Sequence, residues 1–162
     1  MHLFKRSIIL FILAASLFSA GCGFHLRGKI NVPDSLLRMH IAGNDVELIE
    51  KVGDALAFSS VAIVDEADGV AVLDMSKTTY EKEVNATNGN GIATSYKLNY
   101  TVDYDIIDAQ ENSVQKHQLS QSRVLAYDVA NILLFEREEA FLKEDMQKEL
   151  VSAMLRRISR IK

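Results

Sequence analysis

The stretch IATSYKLNYTVDYDI, Ile92 to Ile106, alternates apolar and polar side chains along its length. Ile92, Thr94, Tyr96, Leu98, Tyr100, Val102, Tyr104 and Ile106 fall on one side, and Ala93, Ser95, Lys97, Asn99, Thr101, Asp103 and Asp105 on the other. Strand side chains alternate with period two, so the pattern predicts a strand with its even face in the core and its odd face in water. Immediately before it, Asn88-Gly89-Asn90-Gly91 predicts a tight turn, because Asn and Gly accept the positive φ that hairpins need. A half-apolar strand entered from a hairpin needs a strand beside it and a second layer over its apolar face.

Before that turn, Val70 to Val84 predicts the hairpin partner, a longer and more polar strand. Leu36 to Ile41 and Val61 to Val64 read as short apolar strands. Asn44-Asp45-Val46-Glu47 predicts a helix start, with Asn44 as cap and an acid three residues on. Leu48, Ile49, Val52, Ala55 and Leu56 then recur at helical spacing and give an amphipathic helix over about 45–58. Downstream, Asp108 to Asn112 predicts a second turn. Val114 to Ala126 predicts a strand polar on both faces, through Gln115, Lys116, His117, Gln118, Ser120, Gln121, Ser122 and Arg123. A helix over about 131–160 follows, in which Phe135, Leu142, Met146, Leu150, Met154, Ile158 and Ile161 step mostly by four. Acids in its first turns (Glu136, Glu138, Glu139) and bases in its last (Arg156, Arg157, Arg160, Lys162) suit the helix dipole. The expected fold is α+β: a four-stranded, mostly antiparallel (mixed) sheet with two helices packed on one face.

The N-terminus fixes the compartment. Lys5-Arg6, an apolar run through Ile8, Ile9, Leu10, Phe11, Ile12 and Leu13, and small residues up to Gly21-Cys22 have the layout of a secretory signal. The run is shorter than the roughly 20 apolar residues a spanning helix needs. Cys22 is the only cysteine, placed where a lipoprotein signal presents its acylated thiol. Residues 1–21 are thus expected to be a lipoprotein signal peptide, and Cys22 to carry lipid. Gly23 in place of Asp favours the outer membrane, with the protein lipid-anchored at its periplasmic face. Residues 22–162, 162 − 21 = 141 in number, form a single domain by length. Removing Lys5 and Arg6 leaves 16 bases against 22 acids, a net charge of −6. With no basic block, nucleic acid is not an expected partner.

The sequence offers little catalytic chemistry. His2, His25, His40 and His117 show no ligand spacing, so no metal is expected. No Gly-x-Ser-x-Gly elbow or phosphate-cradling glycine loop is present. Asp103 and Asp105 share the wet face of one strand and read as solvating acids rather than a catalytic pair. Tyr96, Tyr100 and Tyr104 keep phase with Leu98 and Val102 and read as core. No catalytic residue and no cofactor are assigned, and the chain reads as a non-enzyme.

The segment Gly21-Cys22-Gly23-Phe24-His25-Leu26-Arg27-Gly28 resembles the opening of the LptE family of lipopolysaccharide-assembly lipoproteins, a Gly-Cys-Gly-aromatic-x-Leu-Arg motif at the acylated cysteine. Pro33 and the order of predicted elements agree with that family. The resemblance implies a subunit seated in the lumen of the outer-membrane β-barrel LptD, acting as plug and assembly factor and helping lipopolysaccharide reach the cell surface. It also implies contact with lipopolysaccharide phosphates. The family's basic residue in the turn before the third strand has no counterpart in Asn88–Gly91, whereas Lys143 falls near a basic position on the C-terminal helix. Lys97 and Arg123, on strands that the 108–112 turn would set side by side, join Lys143 as lipopolysaccharide-binding candidates. The alternative is a free-standing outer-membrane lipoprotein that regulates a periplasmic enzyme.

Overall fold

The computed structural model describes residues 30–110 and 112–161. The expected signal peptide, Cys22 and the Gly21–Gly28 motif lie outside the described residues. In chain order come β1 (Arg38–Gly43), α1 (Val46–Phe58), β2 (Ala62–Ile63), β3 (Ala71–Thr87), β4 (Ala93–Ile107), β5 (Ser113–Ala126) and α2 (Ile132–Ile158). One mixed sheet has the order β2-β1-β3-β4-β5. β1 is parallel to both β2 and β3, and β3, β4 and β5 are antiparallel. Both helices pack on one face, as the sequence predicts.

The sheet has five strands rather than four. The count of four omits β2, whose run at 61–64 does read as a strand in the sequence; it is two residues long and is held beside β1 by Ala62 N–H to Leu37 O (2.7 Å) and Val64 N–H to Met39 O (3.0 Å). A run that short carries no period of its own, so its place in the sheet follows only from its pairing with β1.

β4 lies at the centre of the fold and fits its pattern. Leu98, Tyr100, Val102, Tyr104 and Ile106 are buried, while the odd residues between them are half-buried. Burial lapses at the hairpin end, where Thr94 is exposed and Ile92 is 52% exposed. Helical cover ends near Tyr96, whose ring lies 5.5 Å from that of Phe135 in the first turn of α2.

β3 hides its alternation behind a bulge. Ala71, Leu73 and Met75 face the helices, the register shifts between Asp74 and Lys77, and Thr78 and Tyr80 take over the inward face. One extra residue in a strand exchanges its faces, so no single period runs through 70–84. Ser76 N–H to Asp74 Oδ1 (2.8 Å) and Thr78 Oγ1 to Met75 O (2.9 Å) fix the bulge.

The cap of α1 is Asp45, not Asn44: Asp45 Oδ1 accepts the Leu48 N–H at 3.0 Å. Asn44 serves the sheet instead. Its amide donates to Thr78 O (2.8 Å) and accepts from Thr78 N–H (3.0 Å), replacing the strand partner that β3 loses where β1 ends. Gly43 lets α1 settle on β1, since a Cβ there would stand 3.1 Å from Ile49 Cδ1. α2 runs about 40 Å at 1.5 Å per residue. Its buried stripe holds Phe135, Met146, Leu150, Met154 and Ile158, as predicted, and is widened by Gln147, Val151 and Leu155.

Candidate functional site

The three candidate cations do not converge. β4 and β5 are adjacent, but Lys97 pairs with Val124 and Leu98 with Arg123, so Lys97 and Arg123 point to opposite faces. Lys97 is exposed on the open face and makes no ion pair among the described residues. Arg123 turns toward α2, where Nη2 donates to Asp145 Oδ2 (3.1 Å) and Glu149 Oε1 (2.7 Å). Those carboxylates, Glu149 first, push the Arg123 pKa further up. Lys143 joins the two helices: Nζ donates to Glu47 Oε2 (2.9 Å) and lies 5.7 Å from the centre of the Tyr80 ring.

The sheet face away from the helices is polar through most of its length. Across β3, β4 and β5 its ranks read Glu83–Lys97–Val124, Glu81–Asn99–Ser122, Thr79–Thr101–Ser120, Lys77–Asp103–Gln118 and Asp74–Asp105–Lys116. All of these side chains are exposed or half-buried. Asp105 and Lys116 stand 3.9 Å apart, and Asp103 and Asp105 are members of this hydrated face. β5 is therefore not polar on both sides: its inward face buries Leu119 and Leu125. Sequence alone blurs this because Gln121 and Arg123 share the inward face with them.

On the helix side, a polar junction ties α1, α2 and β4 together. The Tyr100 hydroxyl donates to Asp45 Oδ2 and accepts from Gln147 Nε2 (3.0 Å), which also lies 3.2 Å from Glu47 Oε2. Burial, then the bond to Asp45, pushes the Tyr100 phenol well above its ordinary range. The Tyr80 hydroxyl donates to Glu139 Oε1 (3.1 Å), and its pKa is likewise raised, first by burial and then by the Glu139 charge. Glu47 is held below the usual carboxylate range, first by the hydrogen bond from Lys143, then by that from Gln147. A depressed folded-state pKa contributes stability that is fully present above the unfolded value of 4.5 and is lost as pH falls through the lower folded value. Glu47→Gln is expected to flatten the acid limb of the stability–pH curve, by a small amount because the pair is largely solvated. Denaturant titrations from about pH 6 down to about pH 3 check this, and an unchanged slope refutes it.

The hairpin end of the molecule is apolar and uncovered. Val84, Ile92, Val129, Ile132, Leu133 and Leu134 are exposed there, and Phe141 is 67% exposed farther along α2. Ile132-Leu133-Leu134 carries the sequence signal for this surface, because three successive apolar residues span too wide an arc of a helix to face one core. The opposite end holds Ile30, the first described residue, whose N–H donates to Ser59 Oγ at the close of α1 (3.2 Å). The 17 residues of β3 reach about 55 Å from one end toward the other.

Among the described residues no cluster of His, Cys, Asp and Glu is placed to hold a metal, and no helix is long and apolar enough to cross a membrane. A family model described as LptE, lipopolysaccharide-assembly, matches residues 35–158. The LPS-assembly lipoprotein LptE of Photorhabdus laumondii is 25% identical over 156 residues, which cover 94% of this chain and 85% of that protein. An uncharacterized lipoprotein B from Nitrosomonas europaea, solved in solution, superposes with a TM-score of 0.70 at 24% identity, covering 85% of this chain and 90% of its own. The rare lipoprotein B of Shewanella oneidensis superposes with a TM-score of 0.64 at 22% identity over 75% of this chain and 93% of its own. The two structures speak for the fold alone.

Proposed function

The chain belongs to the LptE family, which serves lipopolysaccharide transport and outer-membrane assembly rather than catalysis, and from that premise we propose that it is the lipid-anchored subunit seated inside the LptD barrel. The observation that carries the proposal is the family match across residues 35–158. The open sheet face supports it physically. The interiors of large outer-membrane barrels are polar, and the five polar ranks of β3, β4 and β5 present hydroxyls, amides and both signs of charge to such a wall. The length of the domain exceeds the roughly 25 Å apolar band of an outer-membrane barrel. A domain tethered near Ile30 thus has reach enough to run the height of the lumen. Purification of the full chain from outer membranes in mild detergent is the test. A large β-barrel in one-to-one ratio is expected; recovery of the chain alone overturns the plug assignment.

Lipopolysaccharide contact is assigned first to Lys97. It is free of carboxylate partners among the described residues, whereas Arg123 and Lys143 must leave theirs before meeting a phosphate. A charge-assisted contact contributes about 1.5–3 kcal/mol, so Lys97→Glu is expected to weaken lipopolysaccharide binding about tenfold or more with the melting curve unchanged. Arg123→Glu is expected to lower the melting temperature as well, because it sets a third carboxylate beside Asp145 and Glu149. Wild-type affinity in folded Lys97→Glu removes Lys97 from the site.

A further inference from the structure

β5 closes one side of the sheet, and no strand lies along its outer edge among the described residues. One bond sets the phase of that edge. Tyr127 N–H donates to Thr94 O at 2.8 Å, and these two residues continue the β4–β5 register. Hydrogen-bonded and non-hydrogen-bonded pairs alternate along an antiparallel ladder. Odd residues from Leu125 back to His117 therefore bond to β4, while Lys116, Gln118, Ser120, Ser122 and Val124 direct their N–H and C=O groups outward. Of these, Ser122 O is engaged locally, by Arg123 Nη1 at 3.1 Å.

Native edges are normally blunted by bulges, prolines or covering groups. β3, free beyond Met75, shows such devices: its register shifts twice before Ala86, and Asn44 occupies Thr78. β5 has no proline, and its register runs unbroken from Ser95↔Ala126 to Ile106↔Gln115.

Next to this edge, a groove of ≈ 370 Å³ lies between β5 and α2, lined by Gln121, Lys148, Glu149, Ser152 and Arg156. A strand added about 4.8 Å outside β5 would lay alternate side chains over it. Glu149 is taken by Arg123 and Lys148 is paired with Glu144, whereas Arg156 has no ion pair among the described residues. β5 itself carries Lys116, His117 and Arg123 and no acid. Lys116 and Arg123 already face Asp105, Asp145 and Glu149, so the charge open to an added strand is that of Arg156; an acidic strand meets it with opposite sign, and a second β5, which has no acid, does not.

We infer that the free edge of β5 and the groove beside it form a docking edge for an extended polypeptide segment carrying acidic side chains at alternate positions. Backbone groups supply the pairing, and Arg156 selects the acid. This surface is distinct from the open face assigned to the barrel wall and does not depend on that assignment.

The test titrates labelled peptides of about ten residues into the full chain in mild detergent. One face of each peptide is Val and Thr, and the other is Glu, Lys or Ser. The Glu series is expected to bind most tightly, with slowed amide exchange at Gln118, Ser120, Ser122 and Val124 but no change at the odd amides between them. Ser120→Pro deletes an outward donor and leaves the ladder to β4 intact. It is expected to weaken binding about tenfold, the effect of losing one or two edge bonds. Arg156→Glu is expected to reverse the preference between the Glu and Lys series. If Ser120→Pro fails to fold, that reversal and the alternating protection of the wild type decide. Three results overturn the inference: a Glu series bound no better than the Lys series, protection that does not alternate, or a folded Ser120→Pro with wild-type affinity. Displacement of the peptide by inorganic phosphate from wild type and Ser120→Pro alike makes the groove an anion site instead. A peptide-free dimer that Ser120→Pro dissolves assigns the edge to a second copy.

Discussion

Tyr100→Ala is expected to destabilise the domain by about 3–5 kcal/mol, the range for removing a large buried aromatic. Tyr100 is fully buried, and its ring meets Tyr80 edge-on with centroids 5.5 Å apart. Its hydroxyl also links Asp45, the cap of α1, to Gln147 of α2. The substitution therefore opens a cavity and strands two polar partners. Tyr100→Phe separates these effects. It keeps the ring and is expected to cost about 1–3 kcal/mol, because the buried Gln147 amide loses a bond. Two neighbouring changes calibrate the result. The Tyr104 hydroxyl is buried with only the Arg157 guanidinium of α2 beside it among the described residues, so Tyr104→Phe is expected to cost less than Tyr100→Phe, whose hydroxyl joins two partners. Asn99, half-buried on the open face, is expected to cost less than about 0.5 kcal/mol as Ala. Urea titrations of the four variants decide, and equal losses at Tyr100 and Asn99 would place β4 in the wrong register.

The contrast between Tyr100 and Asn99 also marks how much of this fold is legible in the sequence. β4 needs one number, its period, and every residue from Leu98 to Ile106 obeys it. α2 is nearly as plain, because its stripe repeats over many turns; Val151 and Leu155 escape the step of four because they widen the buried face. β3 is harder. The bulge after Asp74 reverses its faces, and nothing local marks the reversal, since Asp74 and Ser76 are ordinary strand-end residues until their bond is seen. The helix cap is misassigned for a similar reason. Asn44 and Asp45 are equally good caps, and only the unpaired edge of Thr78 draws Asn44 away. The candidate cations show the limit most clearly. Strand adjacency is readable from turns, but the face each side chain takes depends on register. A register one residue different would have put Lys97 and Arg123 on the same side. The open polar face and the apolar hairpin end are properties of paired strands and of helix cover, which no single segment contains.

Cys22→Ser is expected to abolish lipid attachment completely, and this is the largest functional change predicted for a single residue. Among the described residues no helix is long and apolar enough to cross a membrane. The proposed attachment is through acyl chains together with the barrel partner. Each buried methylene contributes about 0.8 kcal/mol, and a single chain holds a protein only marginally, so a firm anchor needs the two or three chains that a lipoprotein cysteine carries. Cys22 is the only residue in the sequence with a thiol to accept the first of them. Without that thiol the processing that follows acylation is also expected to stop. Mass spectrometry should show an N-terminal peptide starting at an acylated Cys22 in wild type and an unacylated chain that retains residues 1–21 in the variant. A form led by an ordinary cleavable signal, with Ser at position 22, separates anchoring from folding. It is expected to melt like the acylated chain but to leave the membrane fraction. Its recovery with the barrel should fall, because tethering raises the effective concentration of one partner beside the other without adding a contact. Undiminished recovery would mean that the barrel interface alone holds the complex. An unmodified Cys22 at the N-terminus of the mature wild-type protein would remove the anchor from the proposal altogether.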